Sequence, residues 1–125
     1  MELLAPKYSV EPHIDKREVH WRVEGLFDVA KSLELQKALF KAAQPLIEDG
    51  KGFRVMADMR DFPVQTRAIA EIIEQTQIGS AKLGVHKMVV IYSSVLVKQQ
   101  WRRVSEVMDI EFFETEQDAL QWLRT

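Results

Sequence analysis

The sequence predicts an α/β protein: a single-domain sandwich with a mixed sheet of about five strands and about four helices. Two apolar runs near the N terminus alternate with a period of two residues, as in an antiparallel hairpin with one solvated face. Later apolar runs alternate between strand and helix spacing, which implies parallel strands joined by right-handed crossovers. The 125 residues, 46% of them hydrophobic, suit a single core, so we assign residues 1–125 to one domain.

The opening hairpin comes from residues 8–14 (YSVEPHI) and 19–23 (VHWRV), separated by the polar residues 15–18. Pro12 cannot donate a ladder hydrogen bond, so the first strand is expected at the sheet edge or interrupted there. His13 and His20 fall on the polar side of this hairpin, where a cross-strand pair can form.

The first helix is predicted within residues 27–52, with Asp28 as its N-cap. Pro45 lacks an amide hydrogen, and its ring clashes with the preceding turn, so the helix is expected to kink or to end near Ala43. The apolar stripe of this helix consists of Leu35, Leu39, Ala42 and Leu46.

The remaining elements alternate regularly between strands and helices. A strand apolar on both faces, near residues 86–92, is expected in the middle of the sheet. Thr66, Ser94 and Thr115 stand where N-caps should begin helices. The other predicted elements are a strand at 53–59, a helix at 66–84, a helix after Ser94, a strand at 109–114 and a helix at 115–124.

Composition excludes several classes of function. The formal net charge of -2 gives no electrostatic reason to expect nucleic acid as a partner. The absence of cysteine removes disulfides, zinc–thiolate sites and a thiol nucleophile. The sequence shows no signal peptide or membrane-spanning segment and none of the common phosphate-loop, nucleophile-elbow or metalloprotease motifs. We therefore expect a cytoplasmic protein without a cofactor or metal.

Polar residues cluster where three parallel strands should end, at residues 58–66, 92–94 and 114–115. Ligands of open α/β sheets gather at the carboxyl ends of parallel strands. This edge is therefore the predicted binding or regulatory site. Its candidate residues are Asp58, Arg60, Asp61, Gln65, Thr66, Tyr92, Ser93 and Ser94.

Each of these residues also has a structural interpretation. Asp58 and Asp61 could act as a general acid and base if their environments separated their pKa values. Turn chemistry explains such carboxylates more often, through a bond to a helix N terminus or a basic neighbour. Thr66 could cap the next helix, present a hydroxyl for modification, or do both.

Three stretches resemble the SpoIIAA-like family, a branch of the STAS/SEC14-like folds related to anti-sigma-factor antagonists. These stretches are residues 57–62 (ADMRDF), residues 86–92 (HKMVVIY) with Trp101 beyond them, and residues 111–124 (EFFETEQDALQWLR). In those antagonists, the loop after the third strand carries an Asp-Ser-Ser-Gly motif whose serine is phosphorylated. The matching stretch here, residues 62–66, lacks the motif and offers only the hydroxyl of Thr66.

The resemblance implies a STAS-like fold and a non-catalytic regulatory module that contacts a protein partner around residues 58–66. A second hypothesis, from the SEC14 side of the resemblance, is a carrier or sensor of a small apolar or lipid-like ligand. It requires a cavity between helices and sheet. Six residues could line it, although such residues are more often simply core: Trp21, Trp101, Trp122, Met56, Met59 and Met88. A third is a small hydrolase or isomerase using Asp58 or Asp61. A homodimer is also expected, because the hairpin leaves a strand edge open.

Overall fold

The computed structural model describes residues 5–125, which form one five-stranded sheet and four α-helices in the predicted order. The strands are β1 (Lys7–His13), β2 (Glu18–Glu24), β3 (Phe53–Asp61), β4 (Val85–Ile91) and β5 (Ile110–Phe113). The helices are α1 (Val29–Glu48), α2 (Arg67–Leu83), α3 (Val95–Val104) and α4 (Glu116–Leu123).

The sheet is mixed, with the strands in sequence order from β1 to β5. The hairpin pair β1–β2 is antiparallel, and every later pair is parallel. A helix connects each pair of parallel neighbours, as parallel pairing requires. The predicted fold class is confirmed.

β1 lies at the edge of the sheet, which explains how it accommodates a proline. Pro12 stands opposite Val19 in the only ladder that β1 forms among the described residues. The strand therefore leaves one edge open, and the homodimer that this edge suggests stays a prediction.

α1 runs through Pro45 to Glu48, so the expected end near Ala43 is wrong. Pro45 removes the amide that would donate to the carbonyl of Lys41. Both residues are exposed, so water can satisfy that carbonyl, and the apolar stripe continues to a buried Leu46. Packing of that stripe outweighs the local cost of the proline.

The two faces of the sheet are covered unequally. α1, α2 and α3 cover one face, over a large core that includes Trp21, Val55 and Trp101. α4 alone packs on the other face, over a smaller core around Met56 and Leu123. Within residues 5–125, no helix is long and apolar enough to cross a membrane.

Candidate functional site

The ends of β3 and β4 lie side by side and form one continuous surface. The hydroxyl of Ser93 donates to the carbonyl of Arg60 at 2.7 Å. Gln100 on α3 holds the backbone of Gln65 with two hydrogen bonds, of 2.9 and 3.0 Å. The two groups of candidate residues therefore meet, as the sequence predicted. We call residues 58–66 and 92–96 the exit edge.

Asp58 is paired with a basic neighbour on its own strand. Its carboxylate accepts from the backbone amide of Arg60 at 3.2 Å and from the guanidinium at 2.7 and 3.0 Å. Partial burial would raise the pKa of Asp58, but the hydrogen bonds from Arg60 outweigh it and lower that pKa. A general acid needs a raised pKa, so this environment favours the structural interpretation.

Asp61 is bound to a different arginine. Its carboxylate lies 2.5 Å from Nη2 of Arg22 on β2, and both side chains are exposed. The strand predicted to end at residue 59 continues to Asp61, because Glu24 and Gly25 of the neighbouring chain segment extend the pairing. The two aspartates therefore belong to separate ion pairs.

Gln65 is the most deeply buried of the candidate polar residues. Its side-chain oxygen accepts from the amide of Phe27 at 2.8 Å, and its side-chain nitrogen donates to the carbonyls of Gly25 and Pro63. These bonds tie the loop after β3 to the loop after β2. Gln65 is a structural clamp, a role that the sequence could not separate from ligand binding.

The remaining hydroxyls serve mainly as caps. Thr66 and Ser94 each accept a backbone amide at 3.4 Å, at the starts of α2 and α3. Thr66 is exposed on its outer side. The amide of Tyr92 donates to the carbonyl of Phe113, and its half-buried ring has the ammonium of Lys98 5.0 Å from its centroid. The capping roles expected from the sequence are confirmed.

Apolar side chains are exposed beside this polar turn. Val64, Val95 and Leu96 are 43%, 60% and 65% exposed. Gln100 lies one helical turn beyond Leu96 and bonds to the residue that follows Val64, so these side chains belong to the same surface. No sequence pattern indicated that they are exposed, because isolated valines and leucines are usually core residues.

A large apolar cavity lies beneath the exit edge, between α1, α2 and the sheet. Its volume is about 590 Å³, within the range of pockets that bind small organic molecules. The exposed residues among its lining, including Phe40 on α1 and Leu83 on α2, mark an opening between these two helices. Gln36 and Thr76 are hydrogen-bonded across the same gap.

Half of the residues predicted to line a cavity do so. Trp21, Trp101 and Met88 border it. Met59 is buried in the core without bordering the cavity, and Met56 and Trp122 pack with α4 on the opposite face of the sheet. These three residues have the ordinary core role instead: Met56 points to the opposite face because alternate residues of a strand do so, and α4 takes Trp122 to the far side, whereas Met59 packs on the cavity side of the sheet.

One lining residue has an unsatisfied polar group. Trp101 is 3% exposed, and its indole Nε1 has no hydrogen-bond partner, the only buried side-chain nitrogen or oxygen of this kind in the described part of the chain. Its ring lies 5.9 Å from that of Trp21 and 6.4 Å from that of Phe62, measured between centroids. Buried donors without partners are rare and costly, so this one requires an explanation.

A second polar cluster, which the sequence did not reveal, lies on the other face of the sheet. Glu18 is fully buried and binds the guanidinium of Arg124 through two hydrogen bonds, with His20 and Arg54 beside it. Burial would raise the pKa of Glu18, but the bonds from Arg124 and His20 lower it to about 2. The rings of His13 and His20 lie in contact, with centroids 4.1 Å apart and planes tilted by 40°.

This cluster attaches the C-terminal end of α4 to the sheet. Arg54 also donates to the carbonyl of Leu123, and Lys87 donates to that of Trp122. Cations at the end of a helix are stabilised by its dipole. Among residues 5–125, no three histidine or acidic side chains are arranged to hold a metal ion.

The strand order, the hairpin and the unequal helical layers define an α/β sandwich, and solved structures show which one. A structure with TM-score 0.74 is that of an uncharacterized protein of the DUF3478 family with a SpoIIAA-like fold, from Shewanella loihica; it is 16% identical, over 98% of each chain. An anti-sigma factor antagonist from Mycobacterium paratuberculosis gives a TM-score of 0.64 and 16% identity, over 97% of this chain and 96% of that one. A scan against protein-family models and a search of curated proteins found no match.

The chain therefore has a SpoIIAA-like fold, and the fold that the sequence resemblance implied is confirmed.

Proposed function

We propose that this protein is a non-catalytic regulatory module that binds a protein partner through the exit edge. One of its structural neighbours is an anti-sigma factor antagonist, which supports a regulatory role for this fold. The observation that carries the proposal is the exposed apolar group formed by Val64, Val95 and Leu96 beside the loop after β3.

The composition of this surface suits a protein partner. Aliphatic side chains at its centre lose water on contact, which supplies binding energy. The same exit edge carries both signs of charge in the exposed side chains of Arg60 and Asp61, which gives specificity for a partner of complementary charge. The partner that fits carries an apolar anchor flanked by charged residues.

The polar groups of the exit edge support a non-catalytic role. Asp58 has a lowered pKa, Asp61 is bound to Arg22, and Thr66 and Ser94 accept backbone amides. None of these contacts pairs a hydroxyl with a general base, the arrangement that a nucleophile requires.

Thr66 gives the proposed site a means of regulation. Its exposed hydroxyl stands at the N terminus of α2, where a phosphoryl group would meet the positive end of the helix dipole. Phosphorylation there would add negative charge next to the apolar group. Thr66→Glu imitates this charge and is expected to weaken partner binding.

The proposal is tested by affinity capture from a lysate of the source organism, with Leu96→Glu as the disruptive variant. The substitution places a charge within the apolar group, so the affinity for a partner bound there should fall about tenfold or more. Val107→Glu is the matched control, since Val107 is 56% exposed but follows the far end of α3.

A protein captured by the wild type and by Val107→Glu but not by Leu96→Glu supports the proposal. The proposal is rejected when all three forms capture the same proteins. It is also rejected when the wild type captures only proteins that a blank matrix captures too. Circular dichroism of each variant verifies that the fold is retained.

A separate observation favours a second candidate function, the binding of a small apolar molecule. The cavity of about 590 Å³ is bordered by leucine, isoleucine, methionine and tryptophan side chains, as a carrier or sensor requires. Native mass spectrometry of freshly purified protein, without a delipidation step, tests it; a bare apo mass in every preparation argues against a carrier.

A further inference from the structure

The cavity is long and narrow. Its lining residues on α1 run from Ser32 to Ile47, and those on α2 run from Ile69 to Leu83. An α-helix rises about 1.5 Å per residue, so each of these walls is roughly 20 Å long. A volume of about 590 Å³ over that length gives a mean cross-section of roughly 30 Å². One extended hydrocarbon chain fits this cross-section, whereas two chains side by side do not.

Polar side chains are concentrated at the gap between α1 and α2. The sheet side of the cavity is apolar and includes Val19, Val55 and Val85. At the gap, five lining residues are polar and at least partly exposed, and we call them the polar rim: Gln36, Lys37, Gln75, Thr76 and Ser80. An apolar interior with a polar rim suits a molecule that has an apolar tail and a polar head.

The two buried polar residues of the lining already have protein partners. Ser32 donates to the carbonyl of Asp28, and Gln77 donates to the hydroxyl of Ser105 at 2.9 Å. Neither residue therefore requires a polar group deep in the cavity. The polar part of a ligand is expected at the rim alone.

The charge at the rim is positive. Lys37 is the one charged side chain among the described lining residues, which include no aspartate or glutamate. It is exposed and forms no ion pair with a described carboxylate, whereas Lys31 on the same helix is paired with Glu34 at 3.0 Å. Its long, flexible stem lets the ammonium reach a group held at the rim. The complementary head group carries negative charge.

We propose that the cavity binds a single-chain amphiphile with an acidic head group, with its tail between the helices and the sheet and its head beside Lys37. This inference rests on the second candidate function and adds to it the chemical class of the ligand. A carboxylate and a phosphate monoester share the chemistry that Lys37 would recognise, namely a compact anion.

The tail would enter between α1 and α2. Phe40 and Leu83 are both more than 40% exposed and border the cavity. The hydrogen bond between Gln36 and Thr76 crosses the same gap, so it must open or move aside for a chain to pass. A partly exposed bond of this kind is weak enough to exchange with water.

Two ligands with the same tail test the head group. Decanoate carries a carboxylate where decanol carries a hydroxyl, and both dissociation constants are measured at neutral pH for the wild type, Lys37→Glu and Lys41→Glu. Lys41 is the matched control, because it is an exposed lysine of α1 that borders the shallow groove between α1 and β1 instead of the cavity. Both variants change the net charge by the same amount, and circular dichroism verifies that each retains the fold.

We expect Lys37→Glu to weaken decanoate relative to decanol by about tenfold, because the reversal replaces an attraction at a solvated site with a repulsion. Lys41→Glu should change this ratio by less than about threefold. Added salt should reduce the preference of the wild type for decanoate, since the interaction is exposed to solvent. Decanoate should also bind about tenfold more tightly than octanoate, because two more methylene groups are buried.

The outcomes separate this inference from the function on which it rests. When both ligands bind but their ratio is the same in all three proteins, or changes equally in the two variants, the acidic head group is wrong and the apolar ligand site stands. When octanoate binds as tightly as decanoate, the tail does not lie in the cavity and the inference fails. When neither decanoate nor decanol binds up to the solubility limit of decanol, the second candidate function itself fails.

Discussion

The exit edge and the cavity lie close together, but they differ in whether their polar side chains have hydrogen-bond partners. At the exit edge, the polar side chains that suggest chemistry in the sequence are bound to each other or to the backbone. In the cavity, the sequence offers apolar side chains that suit either packing or an apolar ligand, and a buried indole donor there lacks a partner. Residue type alone therefore indicates poorly which region is free to bind.

The difference predicts opposite responses to the same kinds of substitution. Residues of the exit edge hold the fold, so removing them should lower its stability. Gln36, Thr76 and Gly79 at the cavity wall are partly exposed, so replacing them should cost little. Three matched pairs of variants test this contrast by chemical denaturation.

The largest difference in the free energy of unfolding is expected between two glutamine variants. Gln65→Ala leaves the buried amide of Phe27 and the carbonyl of Gly25 without partners, which should lower the free energy of unfolding by about 3 kcal/mol. Gln36→Ala removes only the partly exposed bond to Thr76 and should cost under about 1 kcal/mol. Equal losses in the two variants would contradict the contrast.

Two glycine-to-alanine substitutions should change the free energy of unfolding in opposite directions. Gly25 lies outside the exit edge but is bonded to Asp61 and Gln65 within it. Its φ is 79°, so Gly25→Ala is strained and should lower stability by about 1 kcal/mol. Gly79 lies inside α2 at the cavity wall, and an added methyl group there would have no atom within 4 Å. Gly79→Ala should raise stability by about 0.5–1 kcal/mol through helix propensity. A loss at Gly79 would show that the cavity wall is more tightly packed than described.

The smallest difference in the free energy of unfolding is expected between two threonine variants. Thr66→Ala removes the N-cap of α2 and should cost about 1 kcal/mol, whereas Thr66→Ser keeps the hydroxyl and should cost much less. Thr76→Ala lies in the interior of the same helix, where alanine is favoured, and should change stability by less than about 0.5 kcal/mol. The prediction is contradicted if the two alanine variants unfold at the same denaturant concentration.

Local patterns predicted a large part of this fold. The N-caps expected at Asp28, Thr66, Ser94 and Thr115 all accept the backbone amide that a cap should accept. Parallel pairing of the later strands followed from the alternation of elements, because parallel neighbours need a crossover connection. The meeting of the polar strand ends followed as well, since parallel strands end at one edge; their role as a binding site stays a prediction.

The features that escaped prediction depend on contacts between distant residues. Glu18 and Arg124 are 106 positions apart, so no local pattern indicates their pairing. α1 continues through Pro45 because its stripe packs on the sheet, which propensity alone does not show. The cavity is a space between α1 and α2, and its volume depends on how these helices pack rather than on any motif.

The most direct test of the account is a footprint of the captured partner on the protein, measured by amide hydrogen exchange. The account predicts slower exchange in the complex at residues 58–66 and 92–96, with Thr66→Glu reducing the effect. Protection confined to α4 or to the open edge of β1, with these two segments unchanged, would contradict it.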